Sequence, residues 1–175
     1  FQQEDVYLEG WPVLQYSYGL DYARRLFERD GVSDLRAEFE STPASTYRLL
    51  AEVWDAPPLS ASDILHIEIP TPDPGLAVPV VTGSFGPWLV YVFTRARGID
   101  GVDARSVSLS WRGDTIVVYE LASGETAGRW DVTFDDEASA SQFLAVPEAL
   151  SNVTAIDTAD PATISLSILG DAIWL

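Results

Sequence analysis

The fold is decided by residues 107–134, which read VSLSWRGDTIVVYELASGETAGRWDVTF. Residues 107–111 and 130–134 alternate apolar and polar side chains, and 116–121 is a third apolar run, so three strands are predicted. Arg112-Gly113-Asp114 and a later Ser-Gly pair have the composition of tight turns between them. The stretch therefore predicts a three-stranded antiparallel sheet.

The residues before this sheet are predicted to be helical. Apolar or small side chains recur there at helical spacing, at Tyr16, Gly19, Leu20, Ala23, Leu26 and Phe27. Gly31 stands where a helix C-cap belongs. Residues 33–39, with Ser33 or Asp34 as cap, and residues 45–50 predict two further short helices.

Prolines dominate the middle of the chain. Six of them lie between residues 57 and 79, which excludes regular helix, while the alternation at 65–69 predicts one short strand. Ser84 is a candidate cap for a helix over 85–97 with a proline in its first turn.

The C-terminal part continues the alternation of helix and strand. Acidic residues at 135–137 favour a helix start, and that helix is expected to run to about residue 146. Strands are expected at 164–168 and at the C-terminus, ending at Trp174. We therefore predict an α+β protein: a helical lobe over 1–55, a proline-rich connection over 56–82, and a helix-covered antiparallel sheet over 83–175.

The composition excludes several kinds of chemistry. The chain has no cysteine, lysine or methionine, and His66 is its only histidine. A thiolate nucleophile, a lysine Schiff base and a paired-histidine metal site cannot form within such a sequence. The net charge of −17, from 27 acidic residues against 10 arginines, disfavours nucleic acid and anionic membranes as partners. Because Phe1 is not a methionine, we expect a fragment or a processed form.

Catalytic motifs are missing as well. The chain has neither His-Glu-x-x-His nor Gly-x-Ser-x-Gly, and His66 lies between Leu65 and Ile67, where a packed or surface role is favoured. Asp100 and Asp103 lack the rest of a calcium loop and are interpreted as a solvated turn. A hydrolase based on two carboxylates stays open on composition alone. We expect no catalytic residue, metal ligand or cofactor in this chain.

Four N-terminal residues are the candidates for an interaction face: Trp11, Tyr18, Tyr22 and Arg25. Tyr18 and Tyr22 are one helical turn apart, off the main apolar stripe, and Arg25 continues their side. Two interpretations are open, ordinary packing against the second lobe or a contact face for a partner.

An ordered series of motifs resembles the C-terminal region of bacterial zincin-like proteins, a group of secreted metallopeptidases. The matching segments are YSYGLDYARRLFERDG (16–31), TPASTYRLL (42–50), TGSFGPWLVY (82–91), LSWRGDTIVVY (109–119) and WDVTFDDEASASQF (130–143). They follow the family's order from about residue 16 to residue 150, while the zinc-binding His-Glu-x-x-His helix has no counterpart here. No catalytic residue of the family can therefore be placed on this chain.

The resemblance implies the non-catalytic C-terminal part of an extracytoplasmic zincin-like protein, serving as scaffold or recognition surface for a peptidase-type cleft. The alternative is a self-standing binding module, an inactive relative or partner of a peptidase. The partner would be the missing N-terminal half or another protein chain, and self-association into a homo-oligomer is also expected if apolar helix surface is exposed.

Overall fold

A computed structural model of the protein describes residues 12–41, 45–68, 77–96, 98–144, 153–156 and 160–169. Its helices are a π-helical segment at Val13–Tyr18, α1 (Gly19–Asp30), α2 (Val32–Glu40), α3 (Tyr47–Val53), a 3-10 turn at Ala61–Asp63, α4 (Gly86–Ala96), α5 (Gly101–Leu109) and α6 (Glu137–Leu144). Gly31 ends α1 with a φ of 61°, as its position in the sequence predicts.

The strands form one antiparallel sheet. They are β1 (Ala77–Gly83), β2 (Trp111–Leu121), β3 (Thr126–Phe134), β4 (Val153–Ile156) and β5 (Thr163–Leu169). Within the described parts of the chain their spatial order is β1-β2-β3-β5-β4, with β2 and β3 joined by the expected hairpin. Helices and an antiparallel sheet together confirm the α+β fold class.

The main core lies between one face of the sheet and the helices. Trp111 and Trp130 are 1% and 2% exposed, so both side chains belong to this core. Edge-to-face contacts place the Trp130 ring 5.9 Å from Phe93 of α4 and 5.6 Å from Phe143 of α6. These aromatic contacts hold the two helices on the sheet.

A second core cluster joins the N-terminal helices to α4. Leu14, Leu50, Trp88 and Val92 are buried together, with partly buried aromatic side chains around them. Burying apolar area of this kind is the main force that holds helices together in water. The N-terminal helices are therefore packed against α4 through side chains from the π-helical segment and α3.

Residues 101–109 form a helix, so the strand predicted over 107–111 is wrong up to Leu109. The Asp100 carboxylate accepts hydrogen bonds from the backbone N–H groups of Val102 (2.7 Å) and Asp103 (3.1 Å), which is helix N-capping. The solvated-turn interpretation of Asp100 and Asp103 is also wrong. Buried Ala104 and Val107 follow the helical period, which overrides the short alternation in the sequence.

Arg112-Gly113-Asp114 lies inside β2 and is not a turn. A register shift between Trp111 and Gly113 marks a β-bulge, and pairing with β3 continues on both sides of it. A Cβ on Gly113 would lie 2.2 Å from the Leu65 carbonyl oxygen. Glycine is required here because another backbone segment crosses the strand, and not because the chain reverses.

The stretch predicted as a connection contains a strand at a different place. β1 pairs with β2 along Ala77–Gly83, whereas Leu65 to Glu68 have no strand structure. Leu65 instead donates its N–H to the Arg112 carbonyl oxygen at 2.7 Å, beside the bulge. Ile69, the end of the predicted strand, lies outside the described residues, as do the predicted end of the α6 helix near 146 and the strand ending at Trp174.

Of the large side chains in the apolar stripe predicted for the first helix, Leu26 alone is buried. Tyr16, Leu20 and Phe27 are 74%, 71% and 54% exposed. The buried positions are Leu14, Tyr22 and Leu26, with Tyr18 half-buried beside them, a series spaced by four residues. Tyrosines replace aliphatic side chains on the buried face, so hydrophobicity alone selects the wrong side of the helix.

Candidate functional site

The three N-terminal helices and the turn that precedes α4 enclose a cleft of about 640 Å³. This size is within the range of known ligand and peptide pockets. The residues that line it are Gly19, Tyr22, Ala23, Leu26, Leu35, Glu38, Phe39, Ser45, Thr46, Leu49, Ser84, Phe85 and Gly86. The lining is mainly apolar, with a few hydroxyl groups and one carboxylate.

One wall of the cleft is held by a buried carboxylate on β2. Asp114 is 5% exposed. Its Oδ1 accepts hydrogen bonds from the Ser84 hydroxyl (2.7 Å) and the Gly86 N–H (2.9 Å), and its Oδ2 accepts one from the Phe85 N–H at 2.8 Å. A carboxylate that accepts the first N–H groups of a helix stabilises its positive end. The sequence predicts Ser84 as the cap of α4. In the structure the capping group is the Asp114 carboxylate, and Ser84 donates a hydrogen bond to it.

The same carboxylate also binds two core tryptophans. The indole N–H groups of Trp111 and Trp130 donate to Asp114 at 3.1 and 3.0 Å. A buried charge is tolerated where hydrogen bonds replace its hydration, and all five donors here converge on one side chain. Asp114 thereby couples the start of α4 to the tryptophans of the sheet and fixes the wall of the cleft.

Tyr22 and Glu38 form another part of the cleft lining, and the exposed Arg48 lies beside Glu38. Arg48 contacts Glu38 Oε2 at 2.8 Å, which balances the charge of the carboxylate. Both Glu38 oxygens and the Tyr22 hydroxyl are shielded from solvent without hydrogen-bond geometry. Burial, reinforced by the neighbouring Glu38 carboxylate, raises the pKa of Tyr22.

The four candidate interaction residues lie in different surroundings. Tyr18 is half-buried against Trp54 and Trp88, at ring distances of 5.9 and 5.2 Å. Tyr22 is buried in the cleft wall. Their role as a contact face stays a prediction.

Arg25 joins α1 to the end of α3. Its guanidinium donates to Asp21, to the Glu52 carbonyl oxygen and to the Asp55 carboxylate, at 3.2, 3.0 and 2.7 Å respectively. The arginine therefore helps to hold these helices together. Trp11, the fourth candidate, lies outside the described residues.

A group of exposed apolar side chains adjoins the cleft, and we call it the α1–α2 surface. It consists of Tyr16, Leu20, Phe27, Val32 and Phe39, all more than half exposed. Phe39 also lines the cleft, so the surface and the cleft are continuous. Tyr16, Leu20 and Phe27 belong to the apolar stripe predicted from the sequence, so the helical periodicity already indicated part of this surface.

The described residues contain neither a group of side chains placed to hold a metal ion nor a helix that could span a membrane. Among them no three His, Cys, Asp or Glu side chains are close enough to hold a metal ion. His66 is exposed. No described helix combines the length and the hydrophobicity that crossing a bilayer requires.

The fold and the cleft define an α+β protein with a mainly apolar cleft beside an exposed apolar helical surface. Comparison with known protein families, curated proteins and solved structures finds no match to this chain. The resemblance to zincin-like proteins stays a prediction from the sequence.

Proposed function

We propose that this chain is a non-catalytic recognition unit, the C-terminal part of an extracytoplasmic zincin-like protein, as the sequence resemblance implies. In this proposal the α1–α2 surface docks onto the zinc-binding part of that protein, and the sheet serves as its scaffold. The observation that supports it is the exposure of five large apolar side chains in the π-helical segment, α1 and α2. Large exposed apolar patches mark interaction sites in soluble proteins.

The alternative is a self-standing interaction module that uses the same surface for a separate protein. The sequence encoded upstream of Phe1 distinguishes the two proposals. A His-Glu-x-x-His motif about a hundred residues or more upstream favours the first, since that spacing supplies two histidine ligands on one helix.

Two-carboxylate hydrolysis receives no support from the cleft. Glu38 is the one carboxylate among the described residues that line it, and it is paired with Arg48. Glycoside hydrolysis needs two carboxyl groups on either side of the scissile bond. Because the chain has one histidine and no His-Glu-x-x-His motif, we also expect it alone to show no tight, stoichiometric zinc binding by calorimetry and no peptide hydrolysis.

The docking experiment compares variants of the α1–α2 surface. Residues 1–175 are purified and titrated by calorimetry with the separately expressed upstream part of the same reading frame. Leu20→Arg and Phe39→Arg should each weaken binding about tenfold or more, because a central apolar contact is replaced by a charge. Val102→Arg is the matched control, since Val102 is 75% exposed on α5, which contributes none of the residues that define this surface.

Two kinds of result would contradict the proposal. If the Leu20 and Phe39 variants bind as the parent does, or if Val102→Arg weakens binding as much, the α1–α2 surface is not the docking site. If the upstream reading frame encodes no His-Glu-x-x-His, the zincin assignment fails while the alternative module remains.

A further inference from the structure

A second interaction surface lies at the edge of the sheet, on β1. Within the described part of the chain β1 is hydrogen-bonded to β2 alone, so its outer edge carries backbone groups without a neighbouring strand. Such an edge presents alternating N–H donors and C=O acceptors, which an extended polypeptide satisfies.

No charged side chain of β1 protects this edge. The strand reads AVPVVTG and has no charged residue. Val78, Val80 and Val81 are 56%, 50% and 44% exposed, and only Ala77 of the seven residues is buried. Valine is favoured in strands because its side chain packs against neighbouring side chains, and about half of each of these valine residues has no such neighbour.

Pro79 limits where a new strand can pair. Proline has no N–H to donate, and the register shift between Pro79 and Val81 bends the strand locally. A long flat pairing of the whole edge with a second copy is therefore disfavoured. From the bulge residue Val80 to Gly83 the strand has no further proline, and Val81, Thr82 and Gly83 pair regularly with β2, so a short segment can pair along this stretch.

The charge of the protein selects the kind of segment. At a net charge of −17, a second copy of this chain is repelled and a basic segment is attracted. We propose that the β1 edge binds an extended, basic segment of a partner protein by strand addition along Val80–Gly83. This surface is separate from the docking site of the proposed function and does not depend on it.

The test uses three short peptides and one chain. The peptide acetyl-Lys-Val-Lys-Val-Lys-Val-amide is compared with its glutamate counterpart and with the proline peptide acetyl-Lys-Lys-Pro-Pro-Lys-Val-amide. The proline peptide keeps the charge but lacks two successive N–H donors, one of which would face the β1 edge in either register. Binding is followed by backbone amide shifts and by amide exchange in β1. We expect the lysine peptide to protect amides between Val80 and Gly83 and to bind at least about tenfold more tightly than either of the others.

Variants of the chain separate strand addition from simple charge attraction. Val80→Arg should abolish the protection, whereas Val102→Arg, which makes the same charge change on α5, should leave most of it. Val80→Thr keeps a β-branched side chain and should bind nearly as the parent does. Preserved amide protection in β2 checks that the sheet of each variant is intact.

Several results would overturn the inference. Equal binding of the proline and lysine peptides shows charge attraction without strand pairing. Equal binding of the glutamate peptide removes the basic preference. A homodimer in light scattering that Val80→Arg dissolves assigns the edge to a second copy. None of these outcomes bears on the α1–α2 surface, so the two proposals fail separately.

Discussion

Replacing Asp114 by asparagine should destabilise the protein more than its small change in shape suggests. The carboxylate accepts five hydrogen bonds, three at Oδ1 and two at Oδ2. Asparagine has a single acceptor oxygen, and its NH₂ group must then face N–H donors. The cheaper orientation keeps the oxygen at the Oδ1 position and leaves the Phe85 and Trp130 N–H groups without an acceptor.

The magnitude follows from those two lost bonds. A hydrogen bond to a charged group contributes about 1.5–3 kcal/mol, so their loss lowers the free energy of unfolding by about 4 kcal/mol. For a chain of this length that corresponds to a melting temperature lower by about 10 °C. The effect is a large part of the stability of a typical domain, which is about 5–15 kcal/mol.

Urea unfolding followed by tryptophan fluorescence measures this loss. The control is Asp100→Asn, since Asp100 is an exposed helix cap and asparagine caps about equally well. We expect the control to leave the free energy of unfolding nearly unchanged. If Asp114→Asn lowers the free energy of unfolding by less than about 1 kcal/mol, or by no more than the control does, the five hydrogen bonds to Asp114 do not stabilise the fold as proposed.

Two further predictions concern Tyr22 and Gly113. The pKa of Tyr22 is raised from 10.0 in the folded state, so Tyr22 of the unfolded chain ionises first as the pH passes 10, and the free energy of unfolding falls. In Tyr22→Phe, the free energy of unfolding measured by urea titration should therefore fall less steeply with pH between about pH 10 and pH 12 than in the parent. An unchanged slope would contradict this. Gly113→Ala forces a Cβ to within 2.2 Å of the Leu65 carbonyl oxygen and should cost at least about 2 kcal/mol in thermal unfolding. The control Gly101→Ala meets nothing within 4 Å and should be neutral or slightly stabilising, and equal melting temperatures for the two would refute the steric argument.

Much of the architecture could be predicted because its signals are local. The helix that ends at Gly31 and the β2–β3 hairpin with its buried tryptophans depend on spacing within a few residues. Errors arose where two local patterns competed. Residues 107–109 alternate like a strand, but the Asp100 cap and the helical burial of Ala104 and Val107 place them in α5.

The cleft was harder to predict because its parts are distant in sequence. Its walls come from α1, α2, α3 and residues 84–86. Glu38 and Arg48 meet across two helices, and nothing in their spacing indicates a contact. Sequence periodicity identifies an apolar face of a helix, but it does not show whether another element covers that face.

The sequence by itself determined the α+β class, the hairpin and the exclusion of thiol, lysine and paired-histidine chemistry, since composition and local periodicity suffice for these. Only the tertiary structure decided what Arg112-Gly113-Asp114 is. As a sequence it has turn composition, yet a crossing backbone requires the glycine and five converging donors require the aspartate. Both requirements come from groups up to about 50 residues away along the chain, and only folding brings those groups together.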